Sequence, residues 1–179
     1  MIPSRKNKIK SMIRVDHAGE FGAQRIYDGQ LAVFRQIKKK KNIAKKISYM
    51  AEQEKEHLDF FNRKMHSQKI RPTAFMPLWN VLGYALGVGT ALMSEKHAML
   101  CTYAVEDAID DHYAKQIDEL NDKSDEGELK KRIYKFREDE IEHRDTAINF
   151  KATEARGFNS LSKVINKGTK LAIWISERI

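Results

Sequence analysis

Two Glu, Glu, His triplets stand in register along this chain of 179 residues. Glu20, Glu54 and His57 form the first, Glu106, Glu140 and His143 the second, and each member lies 86 residues from its counterpart. Within each triplet a lone Glu precedes a Glu-x-x-His by 34 residues. A Glu and a His three apart share one face of a helix. A gap of 34 residues between that pair and the lone Glu suits one helix running up and a second running back. The turn then falls near residue 37 in the first half, beside the lysine run 38–41 and Asn42. In the second half it falls near residue 123, within the turn formers Asn121, Asp122, Lys123, Ser124 and Asp125. At roughly 1.5 Å per residue each arm runs about 25 Å, an ordinary bundle length.

The flanking residues repeat as well. Tyr27 and Tyr113 follow their lone Glu by seven, Gln30 and Gln116 by ten, while Glu52, Glu56 and Asp59 match Glu138, Glu142 and Asp145. Glu-rich helices produce an isolated Glu-x-x-His by chance. Two in register, each with a remote Glu, read instead as a duplicated helical hairpin with the ligand set of a two-metal carboxylate site. Four carboxylates and two imidazoles suit iron or manganese better than zinc, whose structural sites favour thiolate and imidazole.

Three prolines, nine glycines and long stretches free of both predict a nearly all-helical chain without strands. Helices are expected at about 11–37, 43–69, 77–96, 98–121, 126–153 and 158–178. The fold class that follows is all-α: a ferritin-like four-helix bundle from two duplicated hairpins, plus a crossover helix and a C-terminal amphipathic helix. Residues 1–179 form one domain on this reading, with hairpin 1 at about 11–69, an apolar crossover at 70–97, hairpin 2 at about 98–153 and the last helix at about 158–178.

A lone cysteine, Cys101, excludes an intramolecular disulfide framework and fits a packing role in a reducing compartment. The first ten residues carry charges and no apolar stretch, unlike a signal peptide, so a cytoplasmic or matrix-like location is expected. A net charge of +8 and a pI near 9.5 raise nucleic acid and anionic membranes as partners. Basic residues concentrate at 5–10, 38–46 and 163–170 without interleaved aromatics, which argues against base stacking and a nucleic-acid partner. Solvated helix ends or attraction to a membrane surface remain.

Residues 72–94 favour the membrane, since PTAFMPLWNVLGYALGVGTALMS runs 23 residues without a charge. A single span there would put the two triplets on opposite sides of a bilayer. Pro77, Asn80, Gly83, Gly87 and Gly89 also weaken a spanning helix, so the segment is expected to pack on the bundle or dip into one leaflet. Gly83 and Gly87 form a G-x-x-x-G step, a sign of close helix contact of low specificity. In the last helix Phe158, Leu161, Val164, Ile165, Leu171, Ile175 and Ile179 fall near one face with Trp174 at its border, a pattern that suits a covering helix or one lying on lipid.

The blocks IRVDHAGEFGAQRIYDGQ at 13–30, QEKEHL at 53–58, PLWNVLGYALGVGTAL at 77–92, CTYAVEDAIDDHYAKQI at 101–117, FREDEIEHRD at 136–145 and the terminal SERI together resemble the demethoxyubiquinone hydroxylase family. The likeness covers nearly the whole chain in order, and VDHAGE and PLWNVLG set it apart from bacterioferritins and rubrerythrins. It implies a di-iron monooxygenase on the membrane surface, hydroxylating the ring of a polyprenyl methoxybenzoquinone late in ubiquinone synthesis with O2. By the same resemblance Glu20, Glu54, His57, Glu106, Glu140 and His143 hold two iron ions, with Glu54 and Glu140 bridging and Glu20 and Glu106 capping one iron each. The family further implies NADH as electron donor in some members and, in some relatives, a lipid-binding accessory protein of the pathway. No Gly-rich dinucleotide fingerprint occurs here. A homo-oligomer is compatible with the sequence. The implied location is the cytoplasmic face of a bacterial inner membrane, or the matrix face of the mitochondrial one if the protein is organellar.

Further side chains are expected to matter less. Tyr113, two turns beyond Glu106 on the same face, and His112 beside it are candidates to relay electrons or protons or to orient the quinone, against the alternative of a core tyrosine and a surface histidine. His17 sits three before Glu20, but its repeat partner is Tyr103, so the duplication lends it no support as a ligand. Asp16 and Asp139 are candidates to hold the ligand histidines, and Asp107 stands where family members often have a second Glu. Two rival functions are an iron store, which needs a hollow shell assembly, and a non-enzymatic helical protein of the membrane surface, which would bind no metal.

Overall fold

The structure is a computed structural model that describes residues 4–122 and 124–179. Six α-helices and two short 3-10 turns account for nearly all of it, with no strand among the described residues. The helices are α1 (Arg5–Phe34), α2 (Lys41–Ser67), α3 (Met76–Met93), α4 (Glu95–Glu119), α5 (Ser124–Asn149) and α6 (Phe158–Arg178). The all-α expectation is met. Two compact units divide the chain, one holding the residues up to Ser94 together with Lys170–Ile179, the other Glu95–Thr169.

In the first unit α1 packs along α2 and, more extensively, along α3. The backbone of α1 starts earlier than the apolar periodicity does. Ser4, in an extended conformation, caps it by accepting a hydrogen bond from the Asn7 amide at 3.4 Å, so charged residues from Arg5 onward join the helix. The turn after α1 falls where expected, with Ile37 extended and the lysines Lys38–Lys40 in a 3-10 turn. Helix α2 stops at a Schellman arrangement. Lys69 is left-handed at φ 51°, the Ile70 amide bonds to Met65 O at 2.9 Å and the Lys69 amide to His66 O at 3.3 Å, while Ile70 is buried.

Glycine sets the α1–α3 spacing. A Cβ on Gly87 would stand 2.0 Å from Ile26 O, one on Gly29 2.3 Å from Tyr84 O, and one on Gly83 3.0 Å from Gly22 O. The G-x-x-x-G step therefore brings two backbones together inside the protein, a use of small residues that does not require lipid. Along α3 only Gly87, Thr90 and Ala91 are buried. Leu78, Val81, Leu82, Leu92 and Met93 are exposed, and α3 is long and apolar enough to cross a membrane by length and composition. Trp79 Nε1 donates to Ser176 Oγ at 3.0 Å and Ser11 Oγ donates to Glu177 O, which fastens the end of α6 to this unit.

In the second unit α4 packs against α5. Ser94, extended at φ −179° and ψ 170°, separates α3 from α4, so the break lies three residues earlier than the sequence suggests. Helix α5 begins at Ser124. Lys123 of the expected turn lies outside the described residues, as do Met1, Ile2 and Pro3 of the N-terminal stretch. Helix α5 ends at Asn149 rather than near 153, because Lys151 turns left-handed at φ 65° and a 3-10 turn, Ala152–Glu154, follows. Lys96 holds that turn through Glu154 at 2.6 Å.

Replacing Gly87 with Ala forces α1 and α3 apart against the Ile26 carbonyl. Urea denaturation is expected to show a loss of about 1–3 kcal/mol, whereas Gly89→Ala, where nothing lies within 4 Å of the added carbon, leaves stability unchanged or slightly higher.

Candidate metal centre

Each unit buries one triplet. In the first, Glu20 comes from α1, and Glu54 and His57 come from one face of α2; none is more than 1% exposed. His57 Nδ1 lies 3.5 Å from Glu20 Oε2 and 3.8 Å from Glu54 Oε2. All three offer ligand atoms within 4.8 Å of one another. In the second unit Glu106 comes from α4, and Glu140 and His143 from α5, again 1% exposed or less. His143 Nδ1 is 3.6 Å from Glu140 Oε2, and this triplet also brings its ligand atoms within 4.8 Å.

The helices that carry the triplets also carry a fully buried apolar core. Ile13, Ile47, Met50 and Phe61 are fully buried on α1 and α2, as are Met99, Leu100, Leu129 and Ile133 on α4 and α5. Two carboxylates and an imidazole in such apolar company are costly unless a cation balances them. A hard or borderline divalent metal fits this donor set, with oxygen and nitrogen ligands and no thiolate. The distances within each triplet suit convergence on one ion.

The neighbouring candidates occupy distinct places. His17 is 7% exposed and its Nε2 meets Asn62 Oδ1 at 3.0 Å, tying α1 to α2. Burial pushes its imidazole below the ordinary pKa, although Asn62 and the charge of Glu20 both act to raise it. Its counterpart Tyr103 packs against Phe158 at 5.2 Å between ring centres, so the two halves diverge at this position. Tyr113 is buried, and Gln116 Nε2 lies 2.9 Å from His112 Nε2. In the neutral ring that nitrogen is the acceptor. Asp16 is buried and Asp139 half-buried. The Asp107 carboxylate accepts from Asn166 Nδ2 at 2.9 Å and lies 3.6 Å from Arg144, which turns it toward α6 and α5.

One clasp escapes sequence reasoning. Asp110, four residues past Glu106, accepts from Arg137 Nε at 2.6 Å and from Arg144 Nη1 at 2.8 Å. The two arginines flank Glu140 and His143 on α5, so a single carboxylate fixes the register of that segment against α4. The seven-residue spacing of Arg137 and Arg144 is the only trace of it in the sequence.

Helical hairpins that each bury a lone Glu against a Glu-x-x-His define an all-α, ferritin-like protein of the carboxylate metal-binding class. A family model described as Ubiquinone biosynthesis protein COQ7 matches residues 7–176. The chain belongs to the COQ7 family. It is 48% identical over 172 residues to the NADPH-dependent 3-demethoxyubiquinone 3-hydroxylase, mitochondrial, of Dictyostelium discoideum, covering 96% of this chain and 77% of that one. The human protein of the same name is 46% identical over 173 residues, 96% of this chain and 78% of its own length. The 3-demethoxyubiquinol 3-hydroxylase of Rhodospirillum rubrum is 48% identical over 177 residues, 99% of this chain and 81% of its own.

Removing the Asp110 carboxylate leaves two partly buried guanidinium groups without their shared acceptor. Asp110→Ala is expected to lower stability by about 1–3 kcal/mol in urea denaturation, with an unchanged dependence on denaturant concentration.

Proposed function

We propose that this chain is a di-iron monooxygenase that hydroxylates the ring of a polyprenyl methoxybenzoquinone, demethoxyubiquinone, in ubiquinone biosynthesis. The observation that carries the reading is the pair of buried Glu, Glu, His triplets in a COQ7-family chain whose relatives are named for that hydroxylation. On this reading the two units work together as one ferritin-like domain, 1–179. Glu20, Glu54, His57, Glu106, Glu140 and His143 would hold two iron ions. When bound, the irons supply the activation of O2 needed to insert oxygen into an aromatic C–H bond.

The protein's own share is geometry and dryness. Apolar walls keep water from the ligands, and the Asp110 clasp holds Glu140 and His143 in register. Tyr113 stands on the Glu106 face of α4 and relays a proton or electron or orients the quinone, with His112 held beside it by Gln116. Reducing equivalents come from a reduced nicotinamide nucleotide: NADH on the family resemblance, while the Dictyostelium and human relatives carry NADPH in their names.

The substrate's apolar tail accounts for the surface of the first unit. Leu78, Val81, Leu82, Leu92 and Met93 of α3 and Leu171 and Trp174 of α6 are exposed, with Arg25 over the Tyr84 ring and Arg178 over the Trp174 ring, and on this reading they make up one apolar face. That face docks on the membrane as a peripheral attachment, through which the quinone head reaches the site. The corresponding location is the cytoplasmic face of a bacterial inner membrane or the matrix face of the mitochondrial one, and several relatives are named mitochondrial. A lipid-binding accessory protein and self-association belong to the same reading.

Purified protein loaded with iron under anaerobic conditions is expected to bind two coupled irons per chain by metal analysis and Mössbauer spectroscopy. It should then hydroxylate a demethoxyquinone when given reductant and O2. The double variant Glu140→Ala, His143→Ala loses the coupled signal and the turnover, and wild-type protein that takes up no metal would sink the assignment. Truncating Trp79 and Leu82 to Ala is expected to weaken binding to anionic liposomes and turnover of long-tailed substrate more than that of a short-tailed analogue. Equal behaviour on all three counts removes the membrane-docking role of α3.

A further inference from the structure

Thr102 lies on α4 four residues before Glu106, one turn back on the same face. Helical side chains lean toward the N-terminus of their helix, and Thr102 lies in that direction from Glu106. Thr102 is 1% exposed, and its Oγ1 has no hydrogen-bond partner among the described residues. Three other hydroxyls in these helices bond back to the carbonyl one turn earlier. Thr90 Oγ1 donates to Leu86 O at 2.8 Å, Thr169 Oγ1 to Ile165 O at 3.0 Å, and Ser162 Oγ to Phe158 O. Thr102 departs from that pattern in the part of α4 that precedes the lone Glu of the second triplet.

An unbonded hydroxyl in a dry core is a cost that valine, of nearly the same shape, would not carry. We propose that Thr102 is a positioning residue for Glu106: once a metal is bound, its free hydroxyl donates to a Glu106 carboxylate oxygen and so fixes how that carboxylate is presented. The inference rests on the reading of Glu106 as a metal ligand. Ligating carboxylates are generally oriented by such outer hydrogen bonds, and their removal costs about 10- to 100-fold in metal affinity or activity. The back-bond that Thr102 forgoes leaves its donor for this purpose. In the first triplet the position one turn before Glu20 is Asp16, so the two capping carboxylates would be oriented by different chemistry.

The full chain as wild type, Thr102→Val and Thr102→Ser separates this role from plain packing. Without metal, Thr102→Val is expected to melt about 2–4 °C above wild type, because the buried unbonded hydroxyl is gone. With iron(II) titrated anaerobically, the same variant should bind one of its two irons about 10- to 100-fold more weakly and show altered Mössbauer parameters for that iron, with Thr102→Ser close to wild type in both respects. A valine variant that binds both irons as wild type does, with unchanged spectra, overturns the proposal. So does a metal-free valine variant that melts below wild type, since the hydroxyl would then be bonded already. Failure of the wild type to bind iron is a separate outcome that overturns the ligand reading, and this proposal with it.

Discussion

Burial of acid is the constraint on which this molecule turns. Each unit places two carboxylates and an imidazole where 1% or less of their surface meets solvent, and an ion moved to such surroundings costs several kcal/mol even after the protein relaxes. The apolar core buried along the same helices must therefore offset that cost. Fully buried Ile13, Ile47, Met50 and Phe61 in one unit, and Met99, Leu100, Leu129 and Ile133 in the other, belong to helices long enough to extend well beyond the ligands. A divalent cation bound there would convert the most costly feature of the fold into an attraction.

The two units meet this constraint with different means. In the first, α1 is held by α2 through contacts such as His17 with Asn62 and by α3 through glycine. In the second, charge performs the corresponding task. Asp110 receives two guanidinium groups, Asp107 reaches Asn166 and Arg144, and Lys96 grips Glu154. Arginine suits this role because its planar fork is directional, whereas an ammonium would act as a point charge. The repeat visible in the ligands thus does not extend to what supports them.

Residue spacing revealed the triplets and the helix order because metal ligation and helical periodicity both leave arithmetic in a sequence. Helix α6 was legible to its limits, as its apolar stripe and the preceding Gly157 coincide. Other boundaries were not. Helices α2 and α5 are followed by left-handed Lys69 and Lys151, the conformation for which glycine is the usual signal, so the sequence places the ends of both too late. The charged start of α1 shows no apolar face, so the sequence places it late, and the break between α3 and α4 is placed three residues beyond Ser94. The Asp110 clasp and the unbonded Thr102 hydroxyl depend on which rotamer a side chain adopts. Composition and periodicity do not encode that.

The close approach of α1 and α3 rests on glycine against main chain at Gly29, Gly83 and Gly87, which the exposed Val81, Leu82, Leu92 and Met93 do not supply. Stability and surface chemistry are thereby assigned to different residues of one helix. Mutational drift on the outward face meets little folding penalty so long as the glycines stay, which leaves evolution free to retune that face for bilayers of differing thickness or composition without disturbing the ligand-bearing α1 behind it.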